Sequence, residues 1–166
     1  MSSCSDMAGI TFICAGRVKE SYYKAAVAEY KKRISGFCRT DFVELREIIP
    51  ENDGAEAVKK ALAREAEDIL RKIPAGAFVI ACDVQGREAS SEELAAELKT
   101  ALDTRGNIEL AVIIGSSNGL SDAVRLRADR LLSFSKMTFA HGLACVMACE
   151  QIYRALAIIN NVKYHK

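Results

Sequence analysis

Few side chains in this sequence could take part in acid-base or ligand chemistry, and most of them lie toward the carboxyl terminus. The chain has two histidines, and one of them, His141, directly follows a Ser/Thr-containing loop at residues 136–140. A second loop starts at Gly115, after the apolar run 108–114, which predicts a buried strand ending in a turn. Ligands of open α/β sheets bind beyond the carboxyl ends of the strands. Both loops are therefore candidates for a binding site, although spacing alone fits an ordinary strand-turn-helix better.

The six cysteines do not form a metal-binding pattern. No two of them are spaced as C-x-x-C, so we predict reduced thiols in a cytosolic protein and no zinc or other metal. Cys145 and Cys149 are separated by one helical turn, and His141 lies one turn earlier. Core packing explains this group better than ligation because a fourth ligand is missing. The six are Cys4, Cys14, Cys38, Cys82, Cys145 and Cys149.

The composition indicates one compact domain that stays in the cytoplasm. Half of the 166 residues are apolar and 27% are charged, enough for a core without disulfides or metal. The first residues have no signal-peptide pattern, and no apolar run approaches the roughly 18 residues of a membrane span, so we expect no membrane association.

The net charge of +1 predicts no strong overall field for nucleic acid, but a local basic face is compatible with it. A solvated helix face explains the densest basic cluster as well as a face that binds RNA does. The cluster consists of Arg17, Lys19, Lys24, Lys31, Lys32 and Arg33.

Strand and helix patterns alternate along the whole chain. We predict a flexible leader at 1–9 and one α/β domain at 10–166, with a mostly parallel sheet flanked by helices. Ser90 and Glu93 fit a capping box at the start of one helix. A helix at 142–160 is apolar on nearly every side and needs a second surface to cover it, which indicates a homodimer. The strand patterns lie at 10–15, 41–49, 77–82, 108–114 and 131–134; the clearest helical patterns lie at 55–73, 91–102, 121–130 and 142–160.

Four ordered motifs give the chain a close resemblance to a known family. IIGSSNGL, LSFSKMTFAH, EQIYRA and the terminal KYHK resemble the SPOUT methyltransferases that methylate N3 of a pseudouridine in large-subunit ribosomal RNA. The resemblance runs from about residue 10 to residue 166. It implies a homodimeric enzyme that uses S-adenosylmethionine and a carboxyl-terminal trefoil knot, a rare exception to the rule that chains are unknotted.

The resemblance also implies which residues form the site. The acceptor nucleotide meets the tail, where His165 would contact it and Tyr164 would stack on the base, in a site completed by the second protomer. Against this, a penultimate histidine is often only a disordered terminus. His141 is a secondary candidate, and capping of the long helix explains it slightly better. The residues implied to bind the cofactor are Cys82, Gly115, Phe134, Ser135, Lys136, Met137, Thr138 and Phe139.

Four departures from the family pattern bear on activity. The family has Gly-Gly where this chain has Gly115-Ser116, proline at Ala140, leucine at Cys82 and arginine at Cys145. A cysteine cannot replace the charge and donors of a guanidinium. A degenerate homologue that binds cofactor or ribosome with little or no turnover is therefore the alternative. A Rossmann-type oxidoreductase is disfavoured because G-x-G-x-x-G does not follow the first strand.

Overall fold

The computed structural model describes residues 7–164. Its five strands form one sheet in the order β2-β1-β4-β3-β5, and every neighbouring pair is parallel. The elements are β1 (Met7–Ala15), α1 (Ser21–Ile34), β2 (Arg39–Leu45), α2 (Ala55–Lys72), β3 (Phe78–Arg87), α3 (Ser91–Arg105), β4 (Ile108–Ile114), α4 (Asp122–Arg127), β5 (Arg130–Leu132) and α5 (His141–Ile159).

Helices cover both faces of the sheet. One face packs against α1, α3 and α5, and the other packs against α2 and α4. The central strands β1 and β4 are buried along almost their whole length. This explains their nearly continuous apolar sequences, since a parallel strand with helices on both sides has no solvated face. The predicted single α/β domain with a parallel sheet is confirmed.

Helix α5 is the most apolar helix of the described chain. By length and composition it could cross a membrane, with a mean hydropathy of 1.5, a test that a core helix also passes. Here α5 packs against α1, α3 and β4, and none of its residues is fully exposed. The prediction that this helix is largely buried is confirmed.

The boundaries of several elements differ from those predicted. β1 begins at Met7, so residues 7–9 of the expected leader belong to the strand. β2 ends at Leu45, and β3 continues to Arg87 because that residue pairs with Leu132 of β5. The capping box at the start of α3 is confirmed. The trefoil knot stays a prediction, because strand order and pairing do not define how the chain is threaded.

Candidate active site

A cavity of about 560 Å³ lies at the carboxyl ends of β3, β4 and β5. These three strands are neighbours in the sheet, so the loops that follow them converge on one place. The volume is typical of sites for small molecules and cofactors. The lining residues are Cys82, Asp83, Val84, Gln85, Ile114, Gly115, Ser116, Ser117, Asn118, Gly119, Arg125, Leu132, Phe134, Ser135, Met137, Thr138, Phe139, Ala140, His141 and Ala144.

The structure brings most of the predicted cofactor residues to this cavity. Only Lys136 is not among its lining residues. These residues were predicted from the family resemblance. The rule that ligands bind beyond the carboxyl ends of parallel strands predicts the same place independently. The seven that line the cavity are Cys82, Gly115, Phe134, Ser135, Met137, Thr138 and Phe139.

The turn after β4 is tight, and this explains its first glycine. Ser116 and Gly119 form an isolated antiparallel bridge. A Cβ atom on Gly115 would lie 2.5 Å from the carbonyl oxygen of Gly119 and 3.1 Å from a methyl group of Leu120. A side chain at position 115 would therefore push the turn apart before any ligand was considered.

Two carboxylates hold this turn through hydrogen bonds. Glu65 of α2 accepts hydrogen bonds from the Ser116 hydroxyl and from the Ile48 amide, both at 2.8 Å. Glu47 accepts hydrogen bonds from the amide and the hydroxyl of Ser117. Glu65 is 3% exposed, and burial raises its pKa, while its two hydrogen bonds oppose that shift. The serine that replaces the family's second glycine is thus fixed in place.

Sequence reasoning missed Glu65, although the sequence carries a signal for it. The residue lies three positions after Leu62 and four before Ile69, inside the apolar stripe of α2. A carboxylate in such a stripe is expected to be paired or hydrogen-bonded.

The other two sides of the cavity are also held in place, one by local hydrogen bonds and one by an ion pair. The Ser133 hydroxyl donates to the carbonyl oxygen of Ser135 at 3.0 Å, and the Ser135 hydroxyl accepts from the amide of Met137 at 3.1 Å. On β3, just beyond the residues that pair with β4, Asp83 forms an ion pair with Arg125 of α4 at 2.7 Å. The cavity wall is therefore largely built before a ligand enters.

His141 is the first residue of α5, and its ring crosses from one strand end to another. Nδ1 lies 3.0 Å from the carbonyl oxygen of Gly115, and Nε2 lies 3.0 Å from that of Gly16. The N-cap of α5 is Ala140, which makes no side-chain cap hydrogen bond. The interpretation of His141 as a helix cap is wrong, because both ring nitrogens face carbonyl groups of the sheet edge instead.

Cys145 lies one turn further along α5 and is fully buried. Its Sγ is 3.7 Å from Nε2 of His141 and forms a hydrogen bond with Cys14, with the two sulfur atoms 3.5 Å apart. The hydrogen bond from Cys14, followed by that from His141, lowers the pKa of Cys145 to about 6. The hydrogen bond to Cys145 raises the pKa of His141 to about 9, against the effect of burial.

Tyr164 lies away from the cavity of its own chain. The Tyr164 hydroxyl donates to Glu150 at 3.1 Å, and its ring packs edge-to-face on Tyr153 with centroids 4.7 Å apart. Glu150 is nine residues after His141, which corresponds to about 14 Å along the helix. His165 lies outside the described residues, so its predicted contact with the acceptor stays a prediction.

The charged residues of α5 pair with each other, as expected for charges on an apolar helix. Arg154 forms an ion pair with Glu150, and its guanidinium lies 4.7 Å from the ring centroid of Tyr164. Within residues 7–164, no group of three or more histidine, cysteine or carboxylate side chains could hold a metal ion.

A parallel sheet with a cavity at its carboxyl edge is the arrangement in which α/β proteins of this kind hold their ligands. Residues 8–165 match the family model described as predicted SPOUT methyltransferase. The chain belongs to the SPOUT methyltransferase family.

Two sequence relatives support this family assignment, and two solved structures share the fold. The chain is 46% identical over 158 residues to the ribosomal RNA large subunit methyltransferase H of Clostridium novyi, and 43% identical over 157 residues to that of Caldicellulosiruptor saccharolyticus. Each match covers 95% of this chain and 99% of the relative.

The fold is similar to that of a probable methyltransferase from Bordetella pertussis Tohama I, with a TM-score of 0.55, 19% identity, and coverage of 92% of this chain and 99% of that one. A probable methylase family protein from Haemophilus influenzae Rd KW20 gives a TM-score of 0.51 at 15% identity, covering 96% of this chain and 71% of that one.

Proposed function

We propose that this protein transfers a methyl group from S-adenosylmethionine to N3 of a pseudouridine in large-subunit ribosomal RNA, as a homodimer in the cytoplasm. One observation carries the proposal: three loops form a cofactor-sized cavity at the carboxyl edge of the sheet, in a chain that aligns over 95% of its length with proteins named ribosomal RNA large subunit methyltransferase H.

The residues of the cavity fit the proposed cofactor. Apolar side chains such as Leu132, Phe134 and Met137 suit an adenine ring and the carbon chain next to the sulfonium. The backbone of residues 115–119 offers polar groups for the ribose and the amino acid. When bound, S-adenosylmethionine supplies an activated methyl group on a sulfonium with its own leaving group. The protein's task is therefore to hold two reactants in line, which can provide about 7 to 11 kcal/mol of the barrier.

The acceptor needs a group that favours loss of its imide proton. A base, or an electric field that stabilises the anion, would favour this proton loss. We assign the groups next to the acceptor base to Tyr164 and His165. Tyr164 is not near the cavity of its own chain, so we place it at the cavity of the partner subunit. The active site would then join the cofactor loops of one protomer with the tail of the other.

The surface of α5 supports such an assembly. Leu143 and Met147 lie one turn apart on α5 and stay partly exposed, whereas Ile152 and Leu156 are 2% and 0% exposed within the chain. The outward apolar face therefore begins near the cavity end of the helix. A partner that covers Leu143 and Met147 would also come close to the cofactor loops.

A basic face beside the cavity supports RNA as the substrate. Residues 16–34 contain six basic and two acidic residues, in a chain with 23 and 22. Arg17 and Lys19 follow Gly16, whose carbonyl contacts the cavity residue His141. Phosphate contacts by such cations would make affinity for RNA depend on salt. Within residues 16–34, the exposed cations that form no ion pair with any residue between 7 and 164 are Arg17, Lys19, Lys24, Lys31 and Lys32.

The function is tested by calorimetry with S-adenosylmethionine, followed by methylation of ribosomes that lack the mark. Binding together with methylation at N3 of a pseudouridine is the expected result. Binding without transfer would favour a degenerate homologue, which Cys145 and Ala140 give reason to consider. The structure has both the cavity and a hydrogen bond that holds Ser116 to Glu65. These features support cofactor binding by an active enzyme and by a degenerate homologue alike.

A further inference from the structure

The contacts of His141 define its protonation state. A neutral imidazole has one N–H donor and one acceptor nitrogen. Both ring nitrogens of His141 lie 3.0 Å from carbonyl oxygens, those of Gly115 and Gly16, and a carbonyl oxygen can only accept. A neutral ring would leave one nitrogen lone pair against an oxygen lone pair. The imidazolium ion, with two donors, satisfies both contacts.

A half-buried imidazolium needs a negative partner, and the carboxylates nearby are already engaged. Glu65 accepts from Ser116 and Ile48, and Glu44 of β2 accepts from the Val18 amide at 2.8 Å. Neither forms an ion pair with His141, and no carboxylate within residues 7–164 lies within 4.0 Å of its ring nitrogens. Glu20, before α1, is directed toward Gly142 instead.

The remaining ionisable groups around His141 are thiols, and Cys145 differs from the rest. Burial raises the pKa of Cys82 to about 12 and raises the pKa values of Cys14 and Cys149 as well. Cys145 alone contacts the imidazole, at 3.7 Å, and its Sγ also lies within hydrogen-bonding distance of the Cys14 thiol, at 3.5 Å. It also lies in the second turn of α5, where the helix dipole favours an anion.

We propose that Cys145 is a positioning residue: its thiolate is the counter-ion that keeps His141 doubly protonated, and the imidazolium ties the carboxyl ends of β1 and β4 together at the edge of the cavity. The proton of the Cys145 thiol moves to His141 when the protein folds, so no external acid or base is consumed. The thiol of Cys14 keeps its proton and donates to the thiolate. The helix dipole opposes a cation at His141, and the two carbonyl contacts offset it.

This ion pair explains what a cysteine does at position 145, where the family pattern has arginine. Where relatives are expected to have a cation, this chain has an anion that neutralises the neighbouring histidine. Cys145→Arg would place a guanidinium beside the imidazolium in a fully buried position. We expect that variant to lose stability and cofactor affinity rather than to gain activity, since a buried unpaired charge is strongly destabilising.

The wild-type protein without cofactor tests the protonation states directly. Ultraviolet absorbance should show one thiolate with a midpoint near pH 6. Nuclear magnetic resonance should show one of the two histidines still protonated at about pH 7.5, where an ordinary histidine is neutral. His141→Gln and His165→Gln assign the two signals. A neutral His141 at that pH, or the absence of a thiolate, would overturn the proposal.

A matched pair of variants tests the consequence for the cavity. Cys145→Ser should return His141 to an ordinary titration and weaken binding of S-adenosylmethionine by about tenfold, because one charge-assisted contact with a carbonyl is lost. Cys149→Ser, at a buried cysteine one turn further along the same helix, should leave both unchanged. Equal effects of the two substitutions would contradict a specific role for Cys145.

The consequence for cofactor binding rests on the proposed function, whereas the ion pair does not. If the protein bound no S-adenosylmethionine at all, the proposed function would fail and the two titrations would still decide the state of Cys145 and His141. If the titrations show the pair and Cys145→Ser binds cofactor normally, the pair exists and the positioning role is refuted.

Discussion

The two ends of α5 serve the proposed site in different ways. At the amino end, His141 and its neighbours lie against a cavity whose three loops are held by hydrogen bonds within one chain. Toward the other end, Tyr164 packs on Glu150 and Tyr153, about 14 Å along the helix from that cavity at 1.5 Å per residue.

The difference between the two ends indicates how the site is divided. One chain can build the cofactor half completely, but it does not bring its own Tyr164 to that half. A second protomer can do so if α5 lies at the interface, because a two-fold interface places each tail near the other subunit. Cofactor binding should therefore depend on a single chain, and methyl transfer should depend on two.

The largest effect is expected from removal of the tail. A chain that ends after Val162 lacks Tyr164 and His165, so methyl transfer should fall by at least about 100-fold. Cofactor affinity should change by less than about twofold, because no residue from 145 to 164 lines the cavity. Single-turnover rates and calorimetry measure the two quantities. Comparable losses in both would remove the distinction between the two ends of the helix.

A substitution at the cofactor cavity should weaken cofactor binding and leave the dimer intact. Gly115→Val should weaken cofactor binding by about tenfold or more, because its side chain would collide with the backbone of Gly119. The dimer and the packing of the tail should persist. Gly76→Val is the control: a side chain there is strained by the positive φ of +72°, but Gly76 precedes β3 and does not line the cavity. It should lower stability without weakening binding.

The interface between the two halves can be tested on the outward face of α5. Met147→Asp should give a folded monomer that binds cofactor and transfers methyl slowly, since a charge would be buried on association. Ile152 and Leu156 lie on the same apolar helix but are buried inside the chain. Ile152→Asp should therefore unfold the protein. Sedimentation and thermal unfolding separate the two outcomes.

The smallest effect concerns pH. The stabilisation from His141, whose pKa is raised, is complete below about pH 6.5 and is lost as pH rises through about 9. That from Cys145, whose pKa is lowered, is complete above about pH 9 and is lost as pH falls through about 6.

The two contributions offset each other, because folding moves one proton from Cys145 to His141. The free energy of unfolding should therefore vary by less than about 1 kcal/mol from this pair between about pH 6.5 and 9. Denaturant titrations across that range measure it. A steady rise of about 1.4 kcal/mol per pH unit would indicate a thiolate without its histidine partner.

Local patterns predicted the elements well and the contacts between them poorly. The strand at 108–114 and the capping box of Ser90 and Glu93 were predicted correctly because both follow from neighbouring residues. The extension of β3 to Arg87 depends on pairing with β5, which no local pattern carries.

The site shows the same division. Gly115 could be inferred as the start of a turn because it ends an apolar run. The carboxylate under that turn, Glu65, is 51 residues from Ser116, and the partners Cys14 and Cys145 are 131 residues apart. His141 was misread as a cap because its two carbonyl partners lie 26 and 125 residues away. Only the folded sheet brings these groups together.

The most direct test of a site shared between two subunits is complementation in mixed dimers. A chain truncated after Val162 keeps its cofactor cavity, and a full-length Gly115→Val chain keeps its tail. Each homodimer should be nearly inactive. Random mixing gives half heterodimers, each with one complete site, so about a quarter of wild-type methyl transfer should return. No recovery in heterodimers verified by sedimentation would show that each chain uses its own tail and would contradict the account.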